Sequence, residues 1–270
     1  LTVRPPDVNA SSYRFEAVEP GVLRYGLGAI KGVGENACCE IERLREREGP
    51  YRDLFDFGQR LGPKINRRAH EALIKAGAVD GLGVNRATMI AQLPGILRAF
   101  EQMARDEAAG QVDLFGSAAA APVPIIPGFA ALPDLPLLER LKGERETLGH
   151  YFSGHPLDPL REFLTGLISC TLDGVDAAFE QRRFQRGNDA QVLLAGQIVV
   201  INRRNEDRVF FALEDGFGRI EVVAYSDALH EYGALLEPDA LVLVEGHLHE
   251  DRFNGGTALR LRRAWPVEAY

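Results

Sequence analysis

No stretch of this 270-residue chain approaches the roughly 20 apolar residues of a membrane span, and no charged-then-apolar signal segment opens it. No membrane partner is expected. Cysteine is scarce, at Cys38, Cys39 and Cys170. An adjacent pair plus one distant thiol has neither disulfide-framework nor CxxC metal spacing, so the pair reads as small packing residues on a helix in a reducing cytoplasm. Also missing are a P-loop, a nucleophile elbow, a dinucleotide fingerprint and a strand-borne carboxylate cluster of the two-metal kind. No catalytic residue, metal ligand or cofactor is therefore assigned within this chain. A net charge of −8 excludes a uniformly basic nucleic-acid coat but leaves local patches open.

What is present is an ordinary globular balance, 46% hydrophobic and 26% charged, over a length that allows two domains. The opening "LTVRPPDVNASSYRFEAVEPG" reads as the middle of a larger protein. Residues 1–20 look like strand and turn, and 21–95 like short helices separated by Gly-centred turns. A further helix is expected to begin at Pro94, with Ile96, Leu97, Phe100 and Met103 on one face, and to stop at Gly110. Residues 117–136, "SAAAAPVPIIPGFAALPDLP", are a Pro-rich linker. Helix returns to about Gly149 within a connector over 137–190.

From 191 to 270 the period changes to two. "VLLAGQIVVINRR", "RVFFALEDGFGRIEVVAY", "ALVLVEGHLHED" and "ALRLRRAWPV" are β-branched strands broken by Asp215-Gly216 and Asn254-Gly255-Gly256 turns. "SDALHEYGALL" interrupts them as a helix between the third and fourth strands. Five strands with a helix in that slot imply an OB-fold, a small Greek-key barrel. The fold class is thus an α+β multidomain chain, an all-α helical-hairpin region followed by a linker and a five-stranded barrel.

"GLGAIKGVGENACCEI" carries a Gly-Val-Gly turn between helical patterns, as in helix-hairpin-helix DNA-binding motifs. Without a Cβ at Gly32 and Gly34, backbone N–H groups at the following helix N-terminus can face a phosphate, with Lys31 beside them. A degenerate second copy is expected at "ALIKAGAVDGLGVNRATM", with Ala76-Gly77-Ala78 as its turn. A lone GhG turn also fits a plain helical hairpin. Between residues 21 and 90, however, twelve basic residues face nine acidic ones, a local +3. The candidate duplex contacts are Lys31, Gly32, Gly34, Lys64, Arg67, Arg68, Lys75, Gly77 and Arg86, all of a kind that positions a duplex without reading its sequence. Arg43, Arg45 and Arg47 alternate with glutamates and read as a solvated helix face.

Over residues 192–265 eight basic residues face twelve acidic ones. Single-strand binding needs a positive groove with stacking aromatics. Arg203, Arg204, Arg208, Phe210 and Phe253 are the candidates, with only one of Phe210 and Phe211 free to stack; a protein-docking or structural barrel is the alternative. His150, His155 and Asp158 in "LGHYFSGHPLD" fit no familiar zinc spacing and read as turn packing. Gln111-Val112-Asp113-Leu114-Phe115 sets two large apolar residues between a helix end and the linker, with nothing in the nearby sequence suited to bury them except Phe100 and Met103.

Together "PPDVNASSYRF", "RYGLGAIKGVGENA", "GPYRDLFDF", "KINRRAHEALIKAGAVDGLGVNRA", "AAGQVDLFG" and "LGHYFSGHPLD" resemble, in this order, the C-terminal part of the bacterial C-family replicative DNA polymerases, the DNA polymerase III alpha subunits. The resemblance implies the end of the fingers region (1–20), a tandem helix-hairpin-helix domain (21–95), a helix, sliding-clamp motif and linker (96–136), a helical connector (137–190) and the OB domain (191–270). It implies clamp contacts by Gln111, Asp113, Leu114 and Phe115. It also implies as partners double-stranded primer-template DNA, the sliding clamp (beta subunit), single-stranded template and other polymerase III holoenzyme subunits. Two Mg²⁺ ions would serve the parent active site, in a palm that has no counterpart here. Gly58 departs from the family, which more often carries a side chain there. A non-enzymatic DNA-binding scaffold is one rival reading. An error-prone paralogue, expected to lack a good clamp motif, is another, and the intact QVDLF argues against it.

Overall fold

The computed structural model describes residues 1–62, 64–108, 131–183, 191–205, 207–251 and 255–267. The chain divides into two compact units, Leu1–Ser153 and Gly154–Tyr270.

The first unit opens with a small sheet, β1 (Thr2–Arg4), β2 (Glu16–Glu19) and β3 (Val22–Arg24), in the order β1-β3-β2. Between β1 and β2 the Pro5-Pro6-Asp7 breaker folds the chain back. The Asp7 side chain takes the Asn9 N–H at 2.8 Å, and the Val8 N–H reaches the Ala78 carbonyl at 2.8 Å. Five helices follow: α1 (Glu35–Glu48), α2 (Leu54–Leu61), α3 (Arg67–Lys75), α4 (Arg86–Ala108) and α5 (Leu137–Leu148). Short 3-10 segments, Leu27–Ala29 and Asp80–Leu82, precede α1 and α4. Helix starts are set by side-chain caps: Asp53 accepts the Asp56 N–H and Asn66 the Ala69 N–H, both at 2.8 Å. Ala37, Cys38, Ile41 and Leu44 recur at helical spacing on α1 and meet Leu27, Ile30, Leu61, Leu73 and Met89 in the core.

Three expectations change here. The helix expected from Pro94 begins eight residues earlier, at Arg86, with Pro94 inside it. Asn85 supplies the start by accepting the Thr88 N–H at 2.9 Å. Pro94 leaves the Ile90 carbonyl without its helical donor. Ile90 is exposed, where water can serve instead, while Leu93, Ile96, Leu97 and Phe100 hold the opposite face in the core. The Met103 side chain and Gly110 lie outside what is described. Second, Arg45 is no solvated-face residue: its Nη1 donates to the Val8 and Ser11 carbonyls, each at 2.9 Å. It clamps the loop after β1 onto α1. Third, Cys38 is buried but Cys39 is exposed.

In the second unit α6 (Arg161–Thr165) and α7 (Val175–Arg183) precede a closed barrel. Its strands are β4 (Gln191–Asn205), β5 (Arg208–Glu214), β6 (Arg219–Tyr225), β7 (Leu241–Glu250) and β8 (Thr257–Pro266), in the order β4-β5-β6-β8-β7. Helix α8 (Ser226–Tyr232) lies between the third and fourth barrel strands, as the OB reading expects. Leu194, Ile198, Phe211, Leu213, Val222, Val244 and Leu259 fill the interior at period-two positions. The Asp215-Gly216 turn forms as anticipated: Asp215 Oδ1 takes the Phe217 and Gly218 N–H groups, and Gly216 has φ +85°. His155 and Asp158 build a turn. Asp158 Oδ2 accepts the His155 N–H at 2.6 Å, His155 Nδ1 accepts the Leu157 N–H at 3.2 Å, and burial pushes the imidazole pKa down. Among the described residues no helix is long and apolar enough to cross a membrane.

Candidate nucleic-acid interface

At the first hairpin, Gly32 has φ +98°, a conformation that side chains rarely adopt. A Cβ there would lie 3.3 Å from the Ala72 Cβ and 3.9 Å from Arg68 Nε, so the turn rests against α3 and Arg68 stands beside it. Gly34 caps α1 in extended conformation without a side-chain acceptor, and the space in front of it is open. The first N–H groups of α1 therefore have no side-chain partner at their cap. Lys31, Gly32 and Gly34 are all exposed, and the Lys31 N–H is tied to the Thr147 carbonyl at 2.9 Å. Lys31, Lys64 and Arg68 make no ion pair among the described residues, so their charge faces solvent. Arg67 pairs with Glu71 and Lys75 with Glu146, each at 2.8 Å between exposed side chains. Such pairs are worth little and can be exchanged for a phosphate.

Two members of the expected set are placed otherwise. Arg86 is buried. Its Nε and Nη2 fork onto Asp80 at 2.9 and 2.7 Å, and its Nη1 donates to Glu144 at 2.9 Å. Burial works against this guanidinium, but the hydrogen bonds and charges of Asp80 and Glu144 outweigh it and raise the pKa. Arg86 is withdrawn from the duplex contacts. Gly77, with φ +74°, belongs to the turn that ends α3: its N–H goes to the Ile74 carbonyl and that of Ala78 to Leu73, while Ala76 and Ala78 are buried. Its missing Cβ makes room for Arg86, whose Nη2 would lie 2.2 Å away. Two glycine turns follow α3 in series, and the one matching the first hairpin is the later one, Gly83-Val84-Asn85.

On the barrel, strand parity splits the arginines. Phe211 is in the core, whereas Phe210 is half-buried on the outer face opposite Val223. Arg208 shares that face, its guanidinium 5.0 Å from the Tyr225 ring centroid, and Arg260 approaches the same ring at 4.8 Å. Hollows of about 670 and 310 Å³ adjoin at Val223, Tyr225 and His249, and the larger also meets His247, Arg260 and Arg262. Arg203 pairs with Val209 in the register and donates to the Leu236 carbonyl at 3.2 Å, away from this face. The Arg204 side chain, Phe253 and the motif Gln111–Phe115 lie outside the described residues. Tyr225, Arg260, His247 and His249 were missed from sequence. Their signal is the alternation of Tyr225 with buried Ala224, and of Arg260 with buried Leu259 and Leu261.

Residues 1–89 match the family described as a helix-hairpin-helix motif, and residues 192–265 the one described as an OB-fold nucleic acid binding domain. DNA polymerase III subunit alpha of Xylella fastidiosa is 46% identical over 276 residues, 98% of this chain and 23% of the relative. The Vibrio cholerae subunit is 41% identical over 97% of this chain and 22% of its own length, and that of Escherichia coli K12 37% over 99% and 23%. Along 97–99% of its length the chain is similar to a segment of these subunits. It spans about a quarter of the length of the curated relatives it matches. Along the chain, the match to the helix-hairpin-helix motif is followed by the match to the OB-fold domain. Among the described residues no three His, Cys, Asp or Glu side chains gather as a metal site.

Proposed function

We propose that this chain is the part of a bacterial replicative DNA polymerase that holds the primer-template duplex behind the growing end and tethers the enzyme to its sliding clamp. The observation that carries the duplex reading is the first hairpin: an uncapped α1 N-terminus behind a positive-φ glycine, with Lys31 and Arg68 beside it. A phosphate seated there would meet backbone N–H groups, the positive end of a 14-residue helix and two solvent-facing cations. None of these reads a base, so the grip is independent of sequence. Gln111, Asp113, Leu114 and Phe115 would dock on the clamp, and the outer face of the barrel would meet the single-stranded template. Nucleotidyl transfer and its two Mg²⁺ ions belong, in this reading, to portions of the cytoplasmic holoenzyme that this chain does not span, and the chain alone is inactive in primer extension.

The test is duplex binding by the 270-residue chain across a salt series. Changing Lys31, Arg67 and Arg68 together to Ala should weaken binding alike on unrelated duplexes. It should also flatten the slope of log K against log salt by about 0.9 for each phosphate that is no longer neutralised. A weakening confined to one sequence, or an unchanged slope, overturns the reading.

A further inference from the structure

We propose that the second hairpin of the helical unit is an intramolecular clasp, its helix N-terminus occupied by the chain's own Leu132, so that only the first hairpin grips the duplex. This rests on the duplex reading above. The two turns share their geometry. Each places a positive-φ glycine three residues before the first helical residue, Gly32 (φ +98°) before α1 and Gly83 (φ +81°) before α4. Each follows that glycine with a valine packed into the same core, Val33 and Val84. Each is preceded by a 3-10 segment.

What differs is what fills the helix N-terminus. At α1 the cap is a glycine with no side-chain acceptor. At α4 the cap is Asn85, whose Oδ1 takes the Thr88 N–H at 2.9 Å while its Nδ2 donates to the Leu132 carbonyl at 2.7 Å. The Leu132 N–H returns to Thr88 Oγ1 at 2.9 Å. Leu132 is thus held through both its backbone polar groups by the first turn of α4. The Thr88 N–H is taken by the Asn85 side chain, whereas its counterpart on α1, the Ala37 N–H, bonds the Gly34 backbone carbonyl at 3.0 Å and leaves that cap without a side chain.

Charge points the same way. Between residues 76 and 90 Arg86 is the one cation, and it is turned inward onto Asp80 and Glu144. The Asp80 side chain is 48% exposed and would repel an approaching phosphate. Leu132 lies five residues before α5, and Arg86 holds Glu144 within α5. Asn85, Thr88 and Arg86 are therefore positioning residues that fasten α5 and its lead-in segment to the start of α4.

A glutamate placed at each of the two exposed turns separates the roles. Lys31→Glu and Gly81→Glu are compared in the 270-residue chain by anisotropy with a labelled 20-base-pair duplex. Gly81 is exposed with open space around it, and its φ is not in the left-handed region, so a side chain fits. Lys31→Glu should weaken binding roughly tenfold and Gly81→Glu less than about twofold. A comparable weakening in Gly81→Glu overturns the proposal. If neither variant loses affinity, the duplex reading is what fails, and Thr88→Val then decides the clasp alone. That change removes the acceptor for Leu132, so amide exchange at Leu132 should accelerate roughly tenfold with the thermal midpoint little changed. Unaltered exchange there refutes the clasp.

Discussion

Arg86 and Glu144 meet at 2.9 Å in the interior of the helical unit, the arginine side chain 7% exposed and the glutamate 0%. Glu144 is satisfied on every side: its Oε2 takes the Phe152 and Ser153 N–H groups at 2.7 and 3.0 Å, and its Oε1 takes the Ser153 hydroxyl at 2.5 Å. Burial alone would raise its pKa, but these donors and Arg86 hold it below the ordinary value. Glu144→Ala would strand a buried guanidinium with Asp80 as its remaining carboxylate and leave two N–H groups unpaired. A destabilisation of about 3–5 kcal/mol is expected from urea unfolding, with a smaller one for Glu144→Gln. An alanine variant within about 1 kcal/mol of the parent would show that Asp80 carries the pair by itself.

Gly58 sits where a side chain has no room. A Cβ on it would lie 2.0 Å from the Phe100 ring, which α4 lays across α2. Gly58→Ala should cost about 1–3 kcal/mol, and Phe100→Leu in the same chain should recover part of it. The double-variant cycle checks this: additive effects would mean that the ring simply moves aside.

His70 gives the helical unit a pH dependence. The ring is 4% exposed, Nε2 has no hydrogen-bond partner, and burial pushes its pKa down to about 4, against a weaker opposing bond to the Gly62 backbone. A depressed histidine pKa means that the unfolded chain binds the proton first. The contribution is complete above about pH 6.5 and is lost as pH falls towards about 4, amounting to about 3 kcal/mol. His70→Leu should flatten the stability profile across that window relative to the parent. Parallel profiles would remove His70 as the cause.

The barrel was legible because its strands are rich in β-branched residues with stretches of alternation, and two of its turns carry Asp215-Gly216 and Gly255-Gly256. The helix-hairpin-helix character was legible from Gly32-Val33-Gly34 and Lys31. What sequence could not decide was which of two consecutive glycine turns, at Gly77 or Gly83, opens the second hairpin, because both glycines have positive φ and they are separated by where α3 ends, where α4 begins and the packing of Arg86 on Gly77. Arg86 was misread for a similar reason. A cation near a candidate DNA turn looks solvent-facing until Glu144, distant in sequence, is brought beside it. Pro94 misled through local preference, which the Asn85 cap and the buried face of α4 override.

On the barrel, a base stacked at Tyr225 with its phosphates near Arg208 and Arg260 would use the ring and both cations together. Tyr225→Ala should weaken binding of an oligothymidine by about 1–3 kcal/mol, whereas Arg203→Ala, on another face, should leave it unchanged. Anisotropy titrations at low salt measure both. The reverse order would return the site to the Arg203 side, and no binding by the parent would favour a protein-docking barrel.

The remaining prediction concerns Leu114 and Phe115, which are proposed to enter an apolar pocket on the ring-shaped clamp while Gln111 bonds at its rim. Each buried side chain contributes roughly 1.5–3 kcal/mol, from which ordering of the segment must be subtracted. The net is about micromolar, tight enough to tether and weak enough to exchange. The competing idea folds the pair back onto Phe100 and Met103. The Phe100 ring, however, is 2% exposed and already lies against Gly58 of α2, and a Cβ on Gly62, just past that helix, would come 3.0 Å from the Phe100 Cβ. Replacing Gln111, Leu114 and Phe115 together by Ala should abolish binding to the purified clamp in a surface-capture assay and leave the thermal midpoint unchanged. A drop of several degrees with clamp binding retained would place the pair in the fold instead.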